Sequence, residues 1–150
     1  VRWVEAGGPI TVTLKTGIVL PLTTSATGLA FAAFYRSSYL SKQLDAELQT
    51  TATETRTTKA ALMRELETKL EEIRVQGISR ASGSFTPGIN GFSAPVFDHT
   101  ARMVAAITSL GTIGHFDMAW DSPLAQSIKA AAATLSRRLG HGETDTQPSY

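Results

Sequence analysis

The stretch "TPGINGFSAPVFDHTARMVAAIT" (residues 86–108) consists of two short apolar runs on either side of a polar turn. Apolar runs of this length, separated by a few turn residues, are typical of two antiparallel strands joined as a hairpin. We therefore predict strands over Ile89–Phe97 and Met103–Leu110, with the turn between them.

Three residues in this segment weaken a strand, namely Gly88, Gly91 and Pro95. Gly88 is expected to turn the chain into the sheet. Pro95 has no N–H to donate, so we expect it at an irregularity or at an unpaired edge of its strand. Gly91 lies inside the first apolar run, and its lack of a side chain calls for an explanation beyond packing.

The rest of the chain alternates between helical and strand patterns. Lys59–Gln76 carries leucines at helical spacing and is followed by Gly77, which suits a C-terminal cap. The segment Thr50–Thr58 is rich in threonine, so we predict a connector there. The remaining predictions are a strand within 7–17, a helix over about Ser25–Arg36, a short helix over Ser41–Leu48, a strand over Ile78–Ser82, and a helix capped by Ser122 and ended by Gly140.

This order of elements indicates an α+β fold. Hairpin-connected strands form an antiparallel sheet, and the helices are grouped at the two ends of the sequence rather than alternating with the strands. We predict one sheet flanked by helices.

Composition excludes several classes of protein. The 150 residues suit a single domain, and the net charge of +1 comes without a basic stripe, so a self-sufficient DNA-binding domain is not indicated. The absence of cysteine excludes disulfides, thiolate metal sites and a cysteine nucleophile. No apolar run approaches the roughly 18 residues of a membrane span. We expect a cytoplasmic protein with no membrane partner.

Few residues suggest catalysis. The three histidines, His99, His115 and His141, stand apart from one another, with no carboxylate at metal-ligand spacing, so we expect no metal site and no cofactor. Ser93 lies mid-strand rather than on the strand-to-helix turn of a serine hydrolase. His115 and Asp117 remain as a catalytic pair, but a structural role for loop residues is favoured, and we predict that the chain is not an enzyme.

Two long segments, "GIVLPLTTSATGLAFAAF" (17–34) and "GINGFSAPVFDHTARMVAAITSLG" (88–111), carry a resemblance to a known family. With "IRVQGISRASGSFTPG" and "LSRRLG", their order and spacing are similar to the C-terminal effector-binding domain of the IclR family of bacterial transcription regulators. The resemblance covers about residues 2–140.

The resemblance implies a GAF-like fold, with a curved antiparallel sheet, flanking helices and a small-molecule pocket in the concavity. It also implies a homodimer or tetramer, and operator binding only through a separate N-terminal winged helix-turn-helix. The chain opens without an initiator methionine, so we expect that DNA-binding part to be absent from it. Residues 1–140 would form the effector-binding domain, and we expect the polar segment 141–150 to be disordered.

The resemblance places the effector pocket on residues of the sheet and of the first helix. Strand alternation supports the grouping, because Ile89 and Gly91 point to the same face of their strand, as do Thr108 and Leu110 of theirs. The N-terminus of the helix near Ser25 suits a carboxylate, so we predict a small organic-acid effector anchored there. The predicted ligand-binding residues are Pro9, Val12, Ala26, Thr27, Ala81, Ile89, Gly91, Thr108 and Leu110. The alternative is that these residues, Val12, Ile89 and Leu110 above all, are core positions.

The sequence departs from the family at four positions. Better-known members often carry an acid where Ala81 stands, a cysteine at Gly91 and a serine at Leu110. Losing these polar groups, with space left at Ala81 and Gly91, favours an aromatic or branched acid over a two- or three-carbon keto acid. The family usually has glycine where Ala101 stands, so either Ala101 is strained at positive φ by about 1 kcal/mol or the turn differs in type.

The sequence is compatible with three functions. The first is an effector sensor that changes the geometry of an attached DNA-binding dimer. The second is a GAF-like oligomerisation platform with a vestigial pocket. The third, an enzyme using His115 or Asp117, has the least support.

Overall fold

The computed structural model describes residues 17–142. Residues 7–16 of the strand predicted within 7–17, with Pro9 and Val12, lie outside the described residues. The tail from residue 143 also lies outside them. The described elements are α1 (Ala26–Phe34), α2 (Ser38–Thr55), α3 (Lys59–Gln76), β1 (Ser79–Ser82), β2 (Ile89–Phe97), β3 (Met103–Thr112) and α4 (Pro123–Arg138).

The three described strands form one antiparallel sheet in the order β1-β2-β3. The predicted hairpin is confirmed as β2 and β3, and β1 pairs with the other edge of β2. Helices pack on both faces of the sheet, α1 on one and α4 on the other. The predicted α+β fold, an antiparallel sheet flanked by helices, is confirmed.

The main apolar core lies between the sheet and α4. Phe92, Ala94 and Val96 point to this face from β2, and each is at most 1% exposed. The residues of β2 that alternate with these, such as Gly91 and Ser93, point to α1. The core cluster on the α4 face consists of Ile78, Phe92, Ala94, Val96, Phe116, Ala125, Ile128 and Ala132.

A second core joins α1, α2 and α3. The leucine stripe predicted on α3 supplies Leu66 and Leu70, together with Ile73, and α1 and α2 contribute Leu29 and Leu48. Gly77 caps α3 with a φ of 69°, as predicted.

The connector predicted for Thr50–Thr58 is wrong over its first six residues, because α2 continues to Thr55. Ala52 is buried in this extension, and the hydroxyls of Thr50, Thr53 and Thr55 donate to carbonyls four residues earlier. Packing of one face outweighs the small helix penalty of threonine, which is well under 1 kcal/mol per residue (~0.5).

The β2–β3 turn is held by Asp98, whose Oδ1 accepts hydrogen bonds from the hydroxyl and the N–H of Thr100 and from the N–H of Arg102. The hydroxyl of Thr100 is the main reason why the pKa of Asp98 lies below its ordinary value. Ala101 has a φ of 58°, so the strained alternative is the one that the chain adopts.

Pro95 lies where β2 lacks its second neighbour among the described strands. Pairing between β1 and β2 ends at Ser79 and Ser93, two residues before Pro95, and a register shift follows at Val96 and Phe97. Gly88 has a φ of 80° in the turn that enters β2, as predicted. Both residues therefore have the local roles expected of them.

Candidate functional site

Helix α1 is held against the loop that precedes it by Ser25 and Gly28. The Oγ of Ser25 accepts from the N–H of Gly28 at 2.9 Å and donates to the carbonyl oxygen of Pro21 at 2.7 Å. A Cβ on Gly28 would lie 2.0 Å from that same carbonyl oxygen. Only glycine therefore allows the loop to fold back this closely on the helix.

The first turn of α1 has two N–H groups without an acceptor among the described residues, those of Ala26 and Thr27. Such groups form the positive end of the helix dipole and can bind an anion. Both residues belong to the predicted ligand-binding set.

Directly below this turn, Ala81, Gly91 and Leu110 form a row across the three strands. A Cβ on Gly91 would lie 2.8 Å from Cδ2 of Leu110 and 3.3 Å from the Cβ of Ala26. The space expected at Gly91 is therefore filled by the Leu110 side chain, and that expectation is corrected. The two departures from the family pattern compensate in volume: glycine removes a side chain and leucine occupies its place.

The next row across the sheet is Ser79, Ser93 and Thr108, and it is built of hydroxyls. The Oγ1 of Thr108 is 2.8 Å from the Oγ of Ser93 and 2.9 Å from the Oγ1 of Thr27. The Oγ of Ser79 donates to the carbonyl of Ala26 at 2.6 Å. These contacts join the first turn of α1 to all three strands.

The sequence interpretation did not include Ser79 and Ser93 among the site residues. Both are fully buried in the structure. A signal was present, since each stands two residues from a predicted pocket residue in the same strand and so shares its face. Ser93 was considered only as a candidate nucleophile and not as a pocket residue.

The structure thus brings six predicted residues together: Ala26, Thr27, Ala81, Gly91, Thr108 and Leu110. Ile89 lies at the far end of β2, paired with Thr112. By alternation it faces the same side as Gly91. Pro9 and Val12 lie outside the described residues.

The loop before α1 is also bound by a carboxylate of the protein itself. Glu47 of α2 accepts from the N–H of Leu22 at 2.9 Å with each of its oxygens, and from the N–H and hydroxyl of Thr23 at 3.2 Å. Nothing in the sequence pattern indicated this contact, because the partners are more than 20 residues apart.

A cleft of about 390 Å³ opens beside β1, between the loop before α1 and helix α3. We call it the edge cleft. It shares Ala81 with the predicted ligand-binding set and carries two cationic side chains, Lys69 and Arg80. Its lining residues are Thr23, Thr24, Leu29, Lys69, Arg80, Ala81, Ser82, Ser84 and Met118.

The candidate catalytic pair, His115 and Asp117, shows no hydrogen bond between its two side chains. His115 and Asp117 are both exposed, and Oδ1 of Asp117 accepts from the N–H of Ala119. Across residues 17–142, no three His, Asp or Glu side chains gather as metal ligands would. In the same range, no helix combines the length and apolarity needed to cross a bilayer.

The family described as "Bacterial transcriptional regulator IclR C-terminal" matches residues 1–137. No curated protein sequence matches the chain significantly.

Solved structures of similar proteins include Pseudomonas aeruginosa HmgR, with 33% identity and a TM-score of 0.74, covering 91% of this chain and 52% of that one. The Thermotoga maritima IclR is 26% identical with a TM-score of 0.68, covering 92% and 55% of the two chains. Agrobacterium tumefaciens repressor BlcR, 21% identical, shares the fold, with a TM-score of 0.64 and coverages of 86% and 51%. The chain spans about half the length of these solved proteins.

A family match over nearly the whole chain agrees with the order of elements and with the structural likeness, so the predicted resemblance is confirmed. Domains of this family belong to transcription regulators and not to enzymes. The chain belongs to the IclR family of bacterial transcription regulators, as the C-terminal domain of one of its members.

Proposed function

We propose that this domain is the effector sensor of a transcription regulator and that it binds a small organic acid under the first turn of α1. The observation that carries the proposal is the pair of N–H groups at Ala26 and Thr27, which have no acceptor within residues 17–142 and lie above a row of hydroxyls. A carboxylate placed there would accept from both N–H groups and from the hydroxyl of Thr27.

The family supports this role, because its regulators bind DNA and small-molecule effectors and form oligomers. In the proposed protein, residues 1–140 sense the effector, and a separate N-terminal domain binds the operator. A dimer or tetramer of this domain carries the signal. The effector shifts the operator-binding equilibrium only by its differential affinity for the two states of the assembly.

The effector's remaining part would contact Ala81, Ile89 and Leu110, which offer no hydrogen bonds from their side chains. An apolar group is therefore preferred, and we propose an aromatic or branched acid. Because Leu110 fills the space over Gly91, its side chain must turn away to admit such a group. Leucine reaches its alternative rotamers at modest cost, so the pocket is formed on binding.

A thermal-shift panel of organic acids tests the proposal. Aromatic and branched acids should raise Tm in a saturable manner, whereas glyoxylate and pyruvate should not. Stabilisation by glyoxylate-sized acids alone would refute the preference for larger acids.

The position of the site is tested by Thr108→Phe, with Val104→Phe as the matched control. Both residues are exposed on β3, but only Thr108 touches Thr27 and Ser93. Thr108→Phe should abolish the acid-induced shift and leave the oligomer, measured by light scattering, unchanged. Equal loss of the shift in both variants would place the effector elsewhere.

One observation favours the second candidate function, an oligomerisation platform with a vestigial pocket. A Cβ on Gly91 would meet both the Leu110 side chain and the Cβ of Ala26, so no space is left at that position. For a platform, no acid should stabilise either the parent chain or Leu110→Ala, and the oligomer should persist in both. For a sensor, Leu110→Ala should shift the preference toward bulkier acids.

A further inference from the structure

We propose that the edge cleft is a second anion-binding site, separate from the effector site, and that it takes a small metabolite carrying a carboxylate or phosphate group. The shared chemistry is an oxyanion held by Arg80 and Lys69. The inference does not depend on the proposed effector site, because it rests on different side chains.

The first support is charge. Arg80 of β1 and Lys69 of α3 both line the edge cleft, and no acidic side chain between residues 17 and 142 lines it. The ion pairs within residues 17–142 join Lys59 to Asp45 and Arg74 to Glu67. The two cations of the cleft are thus without a carboxylate partner in the described part of the chain.

The second support is the fixed position of Arg80. Its Nη1 donates to the carbonyl of Met118 at 2.6 Å, and its guanidinium carbon lies 3.9 Å from the centre of the Trp120 ring. Trp120 is held in turn, because its Nε1 donates to Glu72 at 3.0 Å. A guanidinium has five N–H donors, and one is used in these contacts. A planar, pre-positioned guanidinium suits two-point binding of an oxyanion.

The third support is the wall of the cleft. Hydroxyls of Thr24 and Ser82 line it, and Thr23 is fixed beside them through Glu47. These groups can donate to oxygens that the two cations leave exposed. A volume of about 390 Å³ falls within the range of small-molecule sites.

The edge cleft and the effector site share Ala81 but differ in the side chains that would hold an anion. Arg80 and Ala81 are neighbours in the strand and therefore point to opposite faces. Arg80 contacts Trp120 and Met118, whereas Ala81 pairs across to Gly91. A ligand held by Arg80 and Lys69 therefore uses different polar groups from one held by the N–H groups of Ala26 and Thr27.

The stacking of Arg80 on Trp120 provides a direct readout. In a Trp3→Phe variant of the chain, Trp120 is the remaining tryptophan, and its emission should change as an anion engages the guanidinium. The probes are inorganic phosphate in one titration and succinate in another, each balanced with sodium chloride to constant ionic strength. The anion that saturates at lower concentration identifies the preferred group.

Variants locate the site. Lys69→Gln and Arg80→Lys should each weaken binding by about tenfold, since each removes or degrades a charge-assisted hydrogen bond. Lys42→Gln, a change of the same type at an exposed residue of α2, should leave it unchanged. Lys69 is itself exposed, so its replacement tests the site without threatening the fold.

Two results would overturn the proposal. One is a linear, unsaturable response to both phosphate and succinate. The other is saturable binding that neither Lys69→Gln nor Arg80→Lys weakens more than Lys42→Gln does. Thr108→Phe, which tests the effector site, should leave phosphate and succinate binding intact, so failure of one site is distinguishable from failure of the other.

Discussion

The two faces of the central strand β2 are buried to the same degree but are built from different chemistry. Toward α4, Phe92 and Val96 are fully buried in an apolar cluster. Toward α1, Gly91 and Ser93 are also buried. Gly91 has no side chain, and Ser93 carries a hydroxyl. Burial alone therefore does not separate the apolar core from the proposed effector site, whereas side-chain size and polarity differ between the two faces.

The difference also separates two sources of stability. Burial of apolar area contributes about 25 cal/mol per Å², so the α4 face, with its aromatic side chains, carries most of the sheet's hydrophobic stabilisation. The α1 face relies on hydrogen bonds from Ser79, Ser93 and Thr108 that join α1 to the strands. We infer that this face can be altered with less loss of stability, as the proposed effector site requires.

The largest test of this comparison is Phe92→Ala on the α4 face. The ring is fully buried and lies 5.5 Å, centroid to centroid, from the ring of Phe116. We expect the free energy of unfolding to fall by about 3–5 kcal/mol, measured by urea denaturation. Val104→Ala, at a half-exposed residue of β3, should change it by less than about 0.5 kcal/mol. Similar losses in the two variants would contradict the assignment of the core to this face.

The second test is Gly28→Ala at the entrance to α1. Its Cβ would lie 2.0 Å from Pro21 O and 2.7 Å from the Cα of Leu22, both backbone atoms that cannot rotate away. We expect a loss of about 1–3 kcal/mol in the free energy of unfolding, together with loss of the acid-induced Tm shift. A variant that keeps the full Tm shift would show that the helix entrance does not form the site.

The third test is Ser93→Ala on the α1 face. It removes a buried hydroxyl that is 2.8 Å from Thr108, while Thr108 keeps its contact with Thr27. We expect a cost of about 1 kcal/mol by urea denaturation and a weaker response to acids. Ser127→Ala, at an exposed residue of α4, provides the control and should be nearly neutral. A loss as large as that of Phe92→Ala would erase the distinction between the faces.

The smallest test is Ala101→Gly, which lies on neither face. Alanine holds a φ of 58° there, and glycine adopts that conformation without strain. We expect the free energy of unfolding to rise by up to about 1 kcal/mol and the response to acids to stay unchanged. Ala130→Gly, in the exposed interior of α4, should instead lower it by about 1 kcal/mol. A decrease in Ala101→Gly would indicate that the turn is unstrained.

The fold was predictable from the sequence where one periodic pattern decided each element. The predicted bounds of α3 and β2 agree with the structure, and Gly77 and Ser122 cap the helices as expected. The prediction failed in α2, where a threonine-rich segment hides a helix that packs through Ala52. Local propensity is weak compared with the packing of one face, and packing partners are not visible in a single sequence.

The candidate site was predictable only in outline. Alternation correctly grouped Gly91 with one face of β2, and the resemblance pointed to the first turn of α1. The sequence pattern does not show which remote residues come close in the folded chain. Two contacts of this kind are Leu110 filling the space at Gly91 and Glu47 accepting from the N–H of Leu22.

The contact of Glu47 with the loop before α1 has a mechanical consequence. The loop can move in only two ways: it carries α2 with it, or it breaks the hydrogen bonds that Leu22 and Thr23 donate to the carboxylate. The carboxylate thus links the loop at the entrance of α1 to the middle of α2. Because Glu47 belongs to α2, a movement of the loop that preserves these four hydrogen bonds displaces α2 as well.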